Sequence, residues 1–110
     1  MIEINFHIDN SGFLRVDVAP TYELLGTFIE NDLMAIDYCR ELIQTIDEVL
    51  AGKVEEYSST GNAFTITLTP EKARIDLEVV EPTPFLDLSL IDLKQALTEY
   101  LAFAEAQGWK

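Results

Sequence analysis

The chain is poor in the residues on which many catalytic and metal sites depend. Its 110 residues include one cysteine, Cys39, and one histidine, His7. A single cysteine excludes an intrachain disulfide and a cluster of cysteine metal ligands. Because Cys39 lies on the apolar side of a predicted helix, with no histidine near it in sequence, we expect a small buried side chain and not a reactive thiol.

Positive charge is also scarce. Seven lysines and arginines oppose twenty aspartates and glutamates, which gives a formal net charge of −13. Binding to phosphate backbones needs clustered lysine and arginine, so we expect no nucleic-acid partner. An anionic membrane surface would repel the chain for the same reason. The charge instead favours solubility and rapid capture of a cationic partner.

Long apolar runs are missing, although 48% of the residues are hydrophobic. No segment approaches the roughly 18 apolar residues that span a membrane. The N-terminal residues lack both the basic start and the apolar block of a signal peptide. We therefore expect a cytoplasmic protein, and the length predicts a single domain over residues 1–110.

Alternating residues predict two hairpins separated by a helix. Residues 2–8 and 13–18 alternate around the turn sequence DNSG, with Ile2, Ile4, Phe6 and Ile8 expected to face inward. Residues 22–29 are apolar and β-prone, which predicts a third strand in which Gly26 marks a bulge or a close backbone approach. Asn31 or Asp32 suits the N-cap of a helix that runs to about Ala51.

The second half repeats the hairpin-then-helix pattern. Residues 54–62 are expected to form a loop or a frayed strand. Residues 63–69 and 73–80 alternate around a turn at 70–72, and the two prolines of residues 81–84 predict a loop. Ser89 and Asp92 resemble a capping box at the start of a second helix, which Gly108 ends. The order β-β-β-α-β-β-α predicts an α+β fold, with an antiparallel sheet of about five strands and two helices packed on one face.

No arrangement of residues predicts catalysis. His7 lies on the polar face of the first strand, and no known nucleophile motif surrounds it. DNSG begins like a calcium loop, but Phe13 and Arg15 occupy later ligand positions, and no phosphate-binding glycine motif is present. We therefore expect that the chain is not an enzyme and that it binds neither a cofactor nor a metal ion. A small enzyme that uses a carboxylate pair or His7 is a further alternative.

The strongest signal is a row of acids on the predicted first helix. Glu30, Asp37, Glu41 and Glu48 fall within a band of about 40° on a helical wheel. Asp37 and Glu41 are a like-charge pair four residues apart, which costs helix stability. The only base between Glu30 and Lys53 is Arg40.

Two further acidic residues, Glu55 and Glu56, follow the predicted helix and precede Tyr57. Aromatic residues anchor protein interfaces and charges steer association, so this combination suits a basic protein surface. The alternative is an outer face that is merely solvated. We expect the partner-binding residues to be the following: Asp37, Glu41, Glu48, Glu55, Glu56 and Tyr57.

A resemblance follows from "DNSGFLRVDVAPTYELLGTFIEND" at residues 9–32. Its Asp9–Gly12 turn, its Glu23–Gly26 spacing and the acid-flanked helix that follows resemble the YacL-type family of small acidic bacterial proteins. "GNAFTITLTPEKARID", at residues 61–76, is similar to the second hairpin of that family. The resemblance implies a terminal helix and brings no catalytic residues.

Size and charge also resemble, by physical type, the immunity proteins that bacteria make against their own toxins, as in contact-dependent growth inhibition. We therefore expect a non-enzymatic acidic protein that neutralises a basic toxin by occluding its active site, and the class of toxin that we expect is a nuclease. The alternative is a housekeeping adaptor or regulatory domain of the YacL type.

Overall fold

The structure, a computed structural model, describes residues 1–33 and 35–109. Two antiparallel sheets and three α-helices make up an α+β fold, which confirms the predicted class. The prediction of one sheet of about five strands is wrong. Strands β1 and β2 form a separate two-stranded sheet, and the larger sheet has the order β3-β4-β5-β6. The bounds of the elements, in chain order, are β1 Asn5–Ile8, β2 Leu14–Asp17, α1 Glu23–Asp32, α2 Ile36–Leu50, β3 Tyr57–Thr60, β4 Phe64–Leu68, β5 Ala73–Leu77, β6 Phe85–Leu88 and α3 Leu90–Ala106.

The first predicted hairpin is present as β1 and β2. The Asp9 carboxylate accepts hydrogen bonds from the backbone N–H groups of Ser11 and Phe13, at 2.9 and 3.0 Å. Gly12 has a φ of +85°, a conformation that a side chain would disfavour. The prediction that Ile8 faces inward is wrong, because its side chain is exposed.

The third predicted strand is a helix. Residues 20–22 form a 3₁₀ turn, and α1 follows directly. Leu25, Phe28 and Ile29 are fully buried, and their spacing is that of one helix face, which outweighs the β propensity of the segment. A Cβ on Gly26 would lie 3.2 Å from Val18 Cγ2, so the predicted close backbone approach is present. It allows α1 to pack against β2.

The single predicted helix that starts at Asn31 or Asp32 is also wrong. Both residues belong to the last turn of α1, and α2 begins at Ile36. The Tyr100 hydroxyl donates a 2.6 Å hydrogen bond to the Leu33 carbonyl, in a buried contact that ties this junction to α3. Gly52 ends α2 close to the predicted position, since Lys53 N–H bonds to the Glu48 carbonyl and Gly52 N–H to that of Val49.

The second predicted hairpin is confirmed as β4 and β5. The backbone groups of Thr69 and Lys72 close its turn with reciprocal hydrogen bonds of 2.9 and 3.2 Å. The segment around residue 57 forms a true edge strand, β3, and residues 85–88 add β6, which the sequence analysis did not predict. The second strand of this hairpin is shorter than the predicted range 73–80, because β5 ends at Leu77, and Val79 beyond it is 70% exposed.

Helix α3 begins and ends as predicted. Ser89 Oγ accepts a 3.0 Å hydrogen bond from the Asp92 N–H. At its other end Gly108 has a φ of +78°, and the Trp109 N–H bonds to the Ala104 carbonyl. Gln95 fixes the N-terminal segment to this helix through paired hydrogen bonds with both backbone groups of Ile2, at 2.9 and 2.7 Å.

Candidate functional site

The predicted acidic row occupies the outer side of α2. Asp37 and Glu41 are exposed and Glu48 is half-buried, whereas Cys39, Leu42 and Ile46 on the opposite side are fully buried. Helical spacing therefore points these three carboxylates away from the core. The Asp37 side chain is 93% exposed.

Glu30 does not belong to this row, contrary to the helical-wheel analysis. It lies on α1, where its Oε2 accepts a 2.8 Å hydrogen bond from the backbone N–H of Val16. Its other oxygen is 3.7 Å from the Arg15 guanidinium. The break between α1 and α2 separates Glu30 from the other three acids, and these contacts hold it against the first hairpin.

The side of α2 that faces α3 carries compensating charge. Arg40 contacts Asp37 at 3.2 Å and Glu105 of α3 at 3.1 Å. Lys94 of α3 contacts Asp47 at 2.6 Å. The sequence analysis recognised Arg40 but did not predict the contribution of Lys94, which comes from a helix distant in sequence.

The other side of α2 faces the edge strand β3. The Tyr38 hydroxyl donates a 3.0 Å hydrogen bond to Ser59 Oγ, which places the start of α2 beside β3. Burial raises the pKa of Tyr38 above its usual range, and the nearby Tyr57, Asp32 and Glu41 add to this effect. These neighbours show that Glu41 and Tyr57 lie on the same part of the surface.

No base compensates the acids on this side. Across residues 1–33 and 35–109, no ion pair involves the following residues: Glu41, Glu48, Glu55 and Glu56. Glu55 and Glu56 are exposed in the connection that enters β3, and Tyr57 is half-buried as its first residue. We call this region the acidic surface, defined by these four glutamates with Tyr38 and Tyr57 and with Asp37, which borders it and also contacts Arg40.

The structure thus brings Glu41 and Tyr57 together beside the edge strand, whereas Asp37 contacts Arg40. Tyr38 was missed by the sequence analysis. The signal that could have found it is its position on the flank of α2, between the acidic row and the buried residues, where an aromatic side chain keeps its polar end at the boundary with solvent.

Neither His7 nor Cys39 belongs to the acidic surface. His7 is exposed on the first hairpin, where its Nδ1 donates a 2.9 Å hydrogen bond to Asp17 Oδ2. Cys39 has no exposed surface, and its thiol is 3.5 Å from the Leu97 carbonyl. Burial raises the pKa of this thiol to about 12, which keeps it protonated and unreactive.

A cavity of about 550 Å³ lies between the first hairpin, the end of α1 and the end of α3. Its apolar wall includes Phe13, Ile29 and Trp109, and Arg15 and Glu30 border it. Since Arg15 is already bonded to Asp9 at 2.9 Å, the charged groups at this cavity largely compensate one another.

Within the described part of the chain, no cluster of three or more histidine, cysteine or acidic side chains is placed to hold a metal ion. None of the helices that the structure describes has the length and apolar character needed to cross a membrane. In comparisons with known proteins, no family model matches the chain, and neither a curated protein nor a solved structure matches it.

Proposed function

We propose that this chain is a binding protein and not an enzyme, and that its acidic surface docks on a basic protein. The observation that carries the proposal is the uneven distribution of compensating charge around α2. Arg40 and Lys94 neutralise the side that faces α3, while Glu41 and Glu48 project toward solvent without a basic partner among residues 1–33 and 35–109.

Like-charge repulsion on α2 destabilises the helix, and a face that only contacts solvent would not require such a row of acids. Asp37 and Glu41, four residues apart on one helix, repel each other by a few tenths of a kcal/mol, and the contact of Asp37 with Arg40 offsets part of this cost. A basic partner would relieve this repulsion on binding, because opposite charges across an interface steer association and fix its orientation. Tyr57, at the margin of the row, would supply the aromatic contact typical of interface anchors.

The partner that we propose is a basic toxin with nuclease activity, for which this chain is the immunity protein. A nuclease active site is lined with basic groups that bind phosphates. Carboxylates spaced along a helix and its neighbouring connection can occupy such a groove in place of the phosphates. Inhibition would follow from occlusion of the groove, with no chemistry performed by the chain itself.

A test follows from the gene order that this function requires. The gene next to that of this chain should encode a toxin, and its expression alone should stop growth. Co-expression of the chain should restore growth, and the Asp37→Lys/Glu41→Lys variant should fail to do so. Glu78→Lys/Glu81→Lys is the matched control, because it makes the same charge change in the loop between β5 and β6.

Restored growth with both double variants would refute a role for the acidic surface. A basic partner that is not toxic, recovered with the same dependence on Asp37 and Glu41, would instead indicate an adaptor in ordinary metabolism.

A further inference from the structure

The larger sheet ends in a strand with open backbone groups. Gly61 N–H bonds to the Phe64 carbonyl at 2.9 Å, and Ser59 pairs with Ile66 in the same register. Because hydrogen-bonded and non-hydrogen-bonded pairs alternate in an antiparallel ladder, Tyr57 and Ser59 bond to β4. The N–H and C=O groups of Ser58 and Thr60 therefore point away from β4, toward the free edge.

Although β3 is short, its edge lacks lysine and proline, two residues that often prevent strand addition. Its sequence, YSST, contains no lysine, no proline and no glycine, and both Ser58 and Thr60 are exposed. In the described ranges, no backbone hydrogen bond to another segment satisfies these two residues. The edge therefore offers two donors and two acceptors to an added strand.

Helix α2 lies beside this edge, on the inner side of the sheet. Tyr38 reaches Ser59 at 3.0 Å, and Glu41 lies close enough to influence the pKa of Tyr38. On the helical wheel Glu41 and Glu48 follow Tyr38 in the direction away from the core. A strand added to β3 would therefore pass near the Glu41 carboxylate.

Charge decides between the possible occupants of the edge. A second copy of this chain would bring another formal charge of −13 to the edge. Lysine or arginine at alternate positions of an added strand lie on one face of that strand, and one of the two pairing registers directs them to the side of the sheet where Glu41 lies. The complementarity thus favours a basic extended segment over self-association.

We propose that the chain binds its partner by β-strand addition: an extended segment with alternating basic residues pairs with Ser58 and Thr60 on β3, and its basic side chains contact the acids of α2, Glu41 first among them. This inference rests on the proposed function and specifies how that binding occurs. Backbone pairing would supply affinity, while the acids select which segments can enter.

The probe is a capped synthetic peptide of eight residues in which lysine and threonine alternate, added at low salt and followed by NMR. Binding should slow amide exchange of Ser58 and Thr60 about tenfold or more, and leave Tyr57 and Ser59 unchanged, since these are already bonded to β4. A second peptide of the same sequence carries N-methyl groups at alternate residues. This peptide keeps its charge but lacks the N–H groups that would donate to the carbonyl groups of β3. We therefore expect its affinity to be at least tenfold lower.

Variants of the chain complete the test. Ser58→Pro removes the outward N–H and should abolish the slowing at Thr60, whereas Ser58→Ala keeps the N–H and should bind normally. Equal binding of the two peptides, or no slowing at Ser58 and Thr60 in the wild-type chain, would overturn strand addition. Peptide binding that is unchanged by Asp37→Lys/Glu41→Lys would count against the acidic surface itself, and so against the proposed function.

Discussion

The phenol of Tyr38 donates a hydrogen bond to Ser59 Oγ across 3.0 Å and so joins α2 to the edge strand β3. The two residues are 21 positions apart in sequence. Their contact brings the carboxylates of α2 to the same part of the molecule as the open backbone groups of β3. The acidic surface is therefore formed by α2 together with the segment around β3, and not by the helix alone.

Replacement of Tyr38 by phenylalanine tests this contact. The Tyr38→Phe variant should lower the free energy of unfolding by about 0.5–1.5 kcal/mol, the typical net contribution of one intramolecular hydrogen bond. The measurement is a urea titration followed by circular dichroism. Tyr22→Phe is the control, because Tyr22 is also half-buried but its hydroxyl makes no hydrogen bond within the described residues. Equal loss in the two variants would show that the Tyr38–Ser59 bond contributes nothing specific.

Charge on α2 should cost stability. The Glu41→Gln/Glu48→Gln variant should be more stable than wild type by about 0.2–0.5 kcal/mol at low salt, since it removes like-charge repulsion along the helix. At 1 M salt the difference should largely disappear, because the charges are screened. Glu78→Gln/Glu81→Gln, which removes two charges outside any helix, should show a smaller gain. A loss of stability in the α2 variant would contradict the account.

The thiol of Cys39 should be protected by the fold. With no exposed surface and a pKa raised to about 12 by burial, it should react with a thiol reagent at pH 8 only when the chain opens. We expect the labelling rate in buffer to be at least about a thousandfold below that in 6 M urea, where the chain is unfolded. Rapid labelling in buffer would place Cys39 at the surface and contradict the packing of α2 on α3.

Alkaline pH should reveal the burial of Tyr100. Burial, with a smaller effect from Cys39, raises the pKa of Tyr100 to about 12 from an ordinary value of 10.0. Above pH 10 the unfolded chain therefore loses this proton first, so the free energy of unfolding falls as the pH rises from 10 to 12. Below pH 10 the contribution is complete.

The Tyr100→Phe variant should show a smaller fall over the same interval, measured by urea titration at several pH values. At pH 7 it should also be less stable by about 1–3 kcal/mol, because the buried Leu33 carbonyl loses its donor. An identical pH dependence in both proteins would exclude Tyr100 as its source.

Local patterns predicted those parts of the fold that depend on neighbours in sequence. The β4–β5 hairpin, the Ser89 cap and the glycine ends of α2 and α3 were all predicted correctly. Residues 22–29 were not, because Leu25, Phe28 and Ile29 fit either a β-prone run or one face of a helix, and only packing against β2 selects the helix. The strand β6 was missed since two prolines precede it and its pairing with β5 is set by the larger sheet.

The acidic surface was predictable only in part. The outward direction of Asp37 and Glu41 followed from helical spacing. The assignment of Glu30 to the same row failed because a break between α1 and α2 changes the helical register. The contact between Tyr38 and Ser59 and the ion pair between Lys94 and Asp47 join elements that are distant in sequence, so no local pattern could indicate them.

The most direct measurement of the central claim is a comparison of partner capture by three tagged forms of the chain, from a lysate of its own cells, at low and high salt. Wild type and Glu78→Lys/Glu81→Lys should retain the same basic protein at low salt and lose most of it at high salt. Asp37→Lys/Glu41→Lys should retain about a tenth or less of that amount. Equal retention by all three forms, or capture that high salt does not weaken, would contradict binding through the acidic surface.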